Sequence, residues 1–269
     1  MPLLAVPIGL LIGLALGALG GGGSILTVPA LVYVLGQDPH TATTSSLLIV
    51  GSTSLIALVP HTRAGRVRFG QGLVFGLLGV AGSFAGSILA RRVPPDLLLL
   101  AFAVLILIVA ALMLSRTRPG QNASAPDQER SASAFSLRPL RCDCRKVARI
   151  LAAASMVGLL TGFFGVGGGF VLVPALVLVL GYSMPTAVGT SLLIIAINSL
   201  TALIFRTGGG WDLDWSVIGL FTAAAMAGSV LGSRIADRVS SRRLTAAFAF
   251  LLIAVGLYTA ARSIIALAT

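Results

Sequence analysis

Residues 20–49 read GGGGSILTVPALVYVLGQDPHTATTSSLLI, and residues 165–194 read GVGGGFVLVPALVLVLGYSMPTAVGTSLLI. Aligned without gaps at an offset of 145, 17 of these 30 positions are identical. Further along, Gly82-Ser83-Phe84-Ala85-Gly86-Ser87 answers Gly228-Ser229-Val230-Leu231-Gly232-Ser233 at an offset of 146. Self-similarity over such a distance means that the chain is two copies of one unit. The first repeat is 1–115, the second is 147–269, and residues 116–146 join them.

What each copy is made of decides its solvent. Of 269 residues, 57% are hydrophobic and 10% charged, and the mean hydropathy is +1.01. The apolar residues run without interruption, as from Leu97 to Leu114, and about 18 such residues span a hydrocarbon core as a helix. A soluble domain of this composition would expose large apolar patches and aggregate. The net charge of +11 does not point to nucleic acid, because the basic residues lie in loops between apolar runs. Met1 to Leu19 has no basic leader and resembles a later internal segment, so it reads as mature structure rather than a signal peptide. The expected class is an all-α integral membrane protein, multi-pass in the inner (plasma) membrane.

The joint between the repeats is polar, with seven basic residues among 116–146. It cannot bury enough apolar area to fold alone and is expected to be a disordered cytoplasmic linker. A basic patch for anionic lipid is the alternative. Cys142 and Cys144, separated by one residue, suit neither a disulfide nor a zinc site. They read as reduced loop thiols, and a redox role has no support in the sequence.

Charge also orients the halves. The loop His61–Arg68 is strongly basic and belongs inside, whereas its repeat equivalent, 206–214, has one Arg and two Asp and fits the outside. Equivalent loops on opposite faces mean inverted repeats, a plan common among transporters. Arg91 and Arg92 then fall outside, against the rule. Inversion needs an odd number of crossings per half. Residues 3–35 are too long for one straight span and too short for two, so they read as a hairpin of short helices turning at the glycines, with 150–180 as its twin. Five helical segments per half follow, with the Gly-broken hairpins meeting near the bilayer midplane.

The chemistry is expected at those turns. Irregular backbone at membrane depth is tolerated where it is buried in protein or lines a wet cavity. A Gly turn entering a helix presents bare N–H groups and the positive end of a dipole, a seat for an anion. Hydroxyls open the next helix in each half and can donate to an oxyanion, although they also serve as caps and helix–helix hydrogen bonds. The candidate binding residues are Gly22, Gly23, Ser24, Thr44, Ser45 and Ser46 in the first half. In the second they are Gly167, Gly168, Gly169, Thr190 and Ser191. The Gly-Ser-x-x-Gly-Ser stretches read instead as close-packing surfaces.

All eight acidic residues fall in expected loops, which leans against a cation substrate and against a carboxylate proton relay. His40 and His61 lie at expected loop ends without an obvious serine partner, so an intramembrane serine hydrolase is not favoured. Asn198 is either a helix–helix hydrogen bond or a cavity residue.

The run Gly165-Val166-Gly167-Gly168-Gly169, Pro174 after it, and Thr190-Ser191-Leu192 sixteen residues beyond the proline resemble the TauE/SafE family. That family is also called the sulfite exporter or toluenesulfonate uptake permease (TSUP) family. The likeness covers both halves and excludes the linker. In the first half Ser24 stands for the last glycine, and Thr44-Ser45-Ser46 for Gly-Thr-Ser, so the half-sites need not be equivalent. The resemblance implies transport of small sulfur-containing anions: sulfite, sulfonates, sulfoacetate or thiosulfate. With a negative cell interior, export by alternating access is the cheaper direction. An importer of a different small anion and a non-transporting assembly or sensor protein remain the alternatives. The expected partners are a small anion and the lipid bilayer, with no nucleic acid, no cofactor and no metal; a homodimer is left open.

Overall fold

A computed structural model describes residues 2–90, 93, 95–115, 144–164, 169–205 and 214–268. Among the described residues the chain is all helical, with five helices in each repeat. The first repeat holds α1 (Pro2–Leu19), α2 (Ser24–Pro29, extended by a π turn Ala30–Val34), α3 (Pro39–Arg63), α4 (Phe69–Ala90) and α5 (Pro95–Ser115). The second holds α6 (Cys144–Phe164), α7 (Gly169–Leu178), α8 (Met184–Phe205), α9 (Trp215–Arg238) and α10 (Ser241–Ala268). Five of these, α3, α4, α8, α9 and α10, are long and apolar enough to cross a membrane, and the others contribute shorter apolar segments. The linker expected at 116–146 lies outside the described residues up to 143. Its last three positions, Cys144 to Lys146, belong to α6, since Arg and Lys are good helix formers.

The repeat is visible in the local structure. Gly36 and Gly181 both take positive φ, 68° and 70°. Each ends a short helix in the same way: the Gln37 N–H donates to the Leu31 carbonyl at 3.0 Å, and the Tyr182 N–H to Leu176 at 3.1 Å. The next helix begins alike in both halves, with the Asp38 carbonyl accepting the Ala42 N–H at 2.7 Å and the Ser183 carbonyl the Ala187 N–H at 2.9 Å. The Asp38 carboxylate accepts from the Thr41 N–H at 3.3 Å, and Ser183 meets the Thr186 hydroxyl at 3.0 Å.

The halves do not fold side by side. α1 packs on α9 and its repeat twin α6 packs on α4; α3 meets α9 as α8 meets α4; α3 pairs with α8, and α5 with α10. Every one of these contacts has its mirror image in the other half, so each repeat completes its core with helices of the other. Glycines allow the closest of them. A Cβ at Gly13 or Gly17 would fall within the backbone of Ala225 or Ser229 on α9, and one at Gly162 within that of Ser83 on α4. A Cβ at Gly82 would lie 2.9 Å from the Ser155 carbonyl oxygen, and Gly228 and Gly232 meet the backbone of α1 more closely still. The Gly-Ser-x-x-Gly-Ser stretches are thus helix-packing surfaces, as their spacing suggests.

The outer faces are apolar. Phe84, Leu77, Leu200, Ile204, Phe250 and Leu257 each expose more than half of their area. A band of this kind is stable against lipid tails and not against water.

Candidate functional site

At the end of α1 the chain turns. Gly20 has φ +69°, and Gly20–Gly22 form one 3-10 turn closed by the Gly23 N–H on the Gly20 carbonyl at 3.4 Å. The chain then doubles back. A Cβ on Gly23 would sit 2.7 Å from the Leu16 nitrogen and 2.8 Å from the Ile12 carbonyl, eleven residues upstream. The expected hairpin is therefore present in the first half. Its depth follows from the packing of α1: the Ala18 nitrogen lies against Gly232, six residues before the end of α9 at Arg238. Six residues are about 9 Å of helix, so the tip stops inside the helical layer.

Two elements of the second repeat, α7 and α8, meet this tip. A Cβ on Gly20 would lie 2.6 Å from the Ser191 hydroxyl and 3.2 Å from the Val188 Cα, both on α8, and 3.3 Å from Val173 on α7. A Cβ on Gly21 would fall within the Gly169 carbonyl at the start of α7. A side chain on Gly169 would in turn meet the Ser24 hydroxyl. Gly20, Gly21, Ser24, Gly169 and Ser191 are thus brought to one place, whereas Gly23 faces Leu16 and Ile12 of its own half; the Gly turn of one half faces the hydroxyl helix of the other. The mirror contact would join Ser46 to Gly165, but Gly165, Gly167 and Gly168 lie outside the described residues.

The hydroxyls sit deeper in their helices than the sequence suggests. Thr44–Ser46 and Thr190–Ser191 are one to two turns past the first residues of α3 and α8, because Asp38 and Ser183 already serve the helix starts. Most are engaged. Ser24 donates to the Gly21 carbonyl at 2.7 Å, Ser46 to Thr43 at 2.8 Å and Ser191 to Val188 at 2.8 Å. Thr190 accepts the Arg68 backbone N–H at 3.2 Å, and Thr44 is also partnered. Ser45 differs, being fully buried with no hydrogen-bond partner for its hydroxyl. An unsatisfied buried polar atom costs roughly 1–3 kcal/mol and so calls for an explanation. Further ones cluster on the same helix pair: the hydroxyls of Thr53 and Ser54 on α3, and the amide oxygen of Asn198 on α8.

α3 and α8 run antiparallel. A Cβ on Gly189 would lie 3.2 Å from that of His61, and one on Gly51 would lie 3.0 Å from that of Ser199. Ten residues forward on one helix are therefore ten residues back on the other. The first of these contacts identifies a residue that sequence reasoning misplaced. His61 is not at a loop end but in the last turn of α3, with 2% of its surface exposed. Its Nε2 lies 3.2 Å from the Gly17 carbonyl, one turn before the glycine tip, and its Nδ1 has no partner. The basic neighbours hid it. What could have exposed it is spacing, because Ser54, Ala57 and His61 recur at helical intervals on one buried face.

The basic loop closes over this end. The Arg66 N–H donates to the His61 carbonyl at 3.0 Å, and the Arg66 side chain pairs with Asp237 in the last turn of α9. Asp237 is therefore helical rather than in a loop, at the helix edge where a charge remains wet. Tyr182, between α7 and α8, has its phenol pushed up to about 12 by burial, against the opposing pull of Arg68. A cavity of about 370 Å³ opens elsewhere, between α3 and α9, lined by Leu48, Ser52, Trp215, Ile218, Thr222 and Met226. At the mirrored place Leu193 and Ile197 fill the gap over Gly72 and Gly76, and Ser52 is the repeat equivalent of Ile197. The cavity is therefore an asymmetry between the halves, and none of the residues expected to bind an anion lines it.

A family model described as "Sulfite exporter TauE/SafE" matches residues 5–259. A "Probable membrane transporter protein" of Xylella fastidiosa (strain 9a5c) is 35% identical over 257 residues, covering 94% of this chain and 92% of its own. The "Probable membrane transporter protein YunE" of Bacillus subtilis (strain 168) is 28% identical, covering 93% and 94%. The "Probable membrane transporter protein MJ0441" of Methanocaldococcus jannaschii is 24% identical, covering 95% and 96%. No solved structure matches the chain.

Proposed function

The chain belongs to the sulfite exporter TauE/SafE family of membrane transporters, and we propose that its cargo is a small sulfur-containing anion, sulfite or a sulfonate, sulfoacetate or thiosulfate. One observation carries this reading: the glycine tip of the first half lies with its backbone on Gly169 and its Gly20 against Ser191. Glycine backbone and hydroxyls are the groups that solvate a sulfonate or sulfite oxygen without a fixed positive charge. A site built this way can release its anion as well as bind it.

In this reading the halves are inverted repeats in the inner membrane, with the linker and Arg63–Arg68 cytoplasmic. The antiparallel register of α3 and α8, which are repeat equivalents, supports this. The axis relating two such helices lies across them, and therefore in the plane of the bilayer they cross. Alternating access then rocks one set of interwoven helices against the other. Net movement outward is favoured by a negative interior, by about 2.3 kcal/mol for each negative charge per 100 mV. A hydrolytic role has no support at His61, whose Nε2 is engaged with a carbonyl rather than a serine.

The test is transport by purified protein in liposomes loaded with radiolabelled sulfite, thiosulfate, sulfoacetate or methanesulfonate. Release of at least one of these is the expected result, faster under an inside-negative potential where the species carried across has a net negative charge. Liposomes that retain all four would overturn the proposal.

A further inference from the structure

We propose that His61 is a proton-binding site coupled to the anion, so that one proton enters or leaves the protein with each anion carried. This rests on the anion-transport reading above. The ring is buried within α3 between two surfaces that belong to the tip region, the Gly17 carbonyl of α1 and Gly189 of α8. In the neutral ring the nitrogen facing Gly17 must carry the hydrogen, because a carbonyl only accepts. That fixes Nδ1 as the nitrogen with a free lone pair, and it has no partner. Adding a proton at Nδ1 therefore breaks no bond. It turns the ring into a cation with a second donor, one helical turn of α1 from Gly20.

The surroundings make that proton conditional. α1, α4 and α8 carry no titratable side chain. The charged groups facing the ring are Arg66 from the α3–α4 loop and Asp237 from α9, and these two are paired with each other. With that pair neutral overall, no further charge among the described residues stabilises an imidazolium in this buried position, and a buried cation needs an opposite charge. An anion seated at the Gly20–Ser191 contact supplies it. Anion and proton thus stabilise each other, and by linkage each raises the affinity for the other by the same factor. Gly189 has no side chain, which leaves room for the ring. Co-transport of one proton makes the passage of a monoanion electroneutral. A dianion would still carry one negative charge outward.

The experiment uses methanesulfonate, isethionate and thiosulfate, anions of strong acids that carry no proton themselves. Proteoliposomes with equal anion on both sides are given a medium one pH unit more acid than the lumen, with the membrane potential clamped at zero by potassium and valinomycin. The wild type is expected to accumulate anion inside toward about tenfold, the ratio that one proton per anion supports across one unit. The His61→Gln protein keeps a donor toward Gly17 and is expected to exchange labelled anion with a raised half-saturating concentration, as the linkage requires, while accumulating none. Two results would overturn the coupling: a wild type that exchanges anion but does not respond to the pH step, or His61→Gln that still responds. A wild type that exchanges none of the three would overturn the transport reading, and this inference with it. If His61→Gln does not fold, His61→Asn and a pyranine-loaded wild type decide the matter. Anion entry without lumenal acidification would then refute coupling, and acidification lost in His61→Asn would support it.

Discussion

The Ser24 hydroxyl occupies the space that a side chain on Gly169 would need. The two residues are repeat equivalents, and they meet where the tip of the first half reaches the start of α7. Two side chains cannot share that point, so one half must carry the glycine. With Ser24 in the first repeat, the glycine at 169 is thus a packing requirement of the contact between the halves.

That relation predicts a compensating pair. Gly169→Ala should lower stability by about 1–3 kcal/mol, the usual cost of overpacking, because the Gly21 Cα and carbonyl oxygen also lie 3.0 Å from the new methyl. Ser24→Gly should cost less, and in that background Gly169→Ala should lose only part of what it loses alone. Thermal unfolding of the four proteins in detergent measures the coupling. Additive effects would mean that the two positions do not meet.

A second contrast separates close approach from backbone conformation. Gly36 has positive φ but nothing within 4 Å of an added Cβ, so Gly36→Ala should cost about 1–2 kcal/mol and leave transport intact. At Gly21 the Cβ would overlap the Gly169 backbone, which cannot step aside as a side chain can. Gly21→Ala should abolish anion flux and lower the melting temperature more than Gly36→Ala does. Flux assays on both proteins at equal reconstituted amounts provide the check.

Much of this arrangement is legible in the sequence, because a repeat can be read without knowing any contact. The hairpin at residues 3–35 follows from length alone, and the Gly-Ser spacing gives the packing faces. Helix partners are not legible. These helices are apolar on nearly all sides, so no periodicity tells α1 to leave its own half and pack on α9. Depth is also lost, since Thr190 and Ser191 look like a helix start until the Ser183 carbonyl is seen accepting the first helical bond, from the Ala187 N–H. His61 was hidden for a different reason. The three arginines after it look like a loop, while the helix beneath continues to Arg63.

Topology gives the third prediction. With Cys142 and Cys144 replaced by Ser, a single cysteine at Gly65 should react with an impermeant maleimide only from the cytoplasmic face, and one at Gly209 only from outside. The antiparallel α3 and α8 require their equivalent following loops to emerge on opposite faces. Labelling of both from one side would refute the inverted arrangement.

The last prediction concerns Ser45 and Thr190, equivalent hydroxyls that differ in what they hold. Thr190 accepts the Arg68 backbone N–H, so Thr190→Ala leaves that donor without its partner and should cost about 1 kcal/mol or more of stability. Ser45 holds nothing, and Ser45→Ala removes a buried unsatisfied oxygen. Its stability should be unchanged or slightly higher. If both hydroxyls nonetheless turn toward the anion when it binds, both variants should raise the half-saturating anion concentration several-fold. The two readouts then separate: Thr190→Ala loses affinity and stability together, while Ser45→Ala loses affinity alone. A Ser45→Ala protein with unaltered half-saturation would remove Ser45 from the site and leave its burial to packing between α3 and its neighbours.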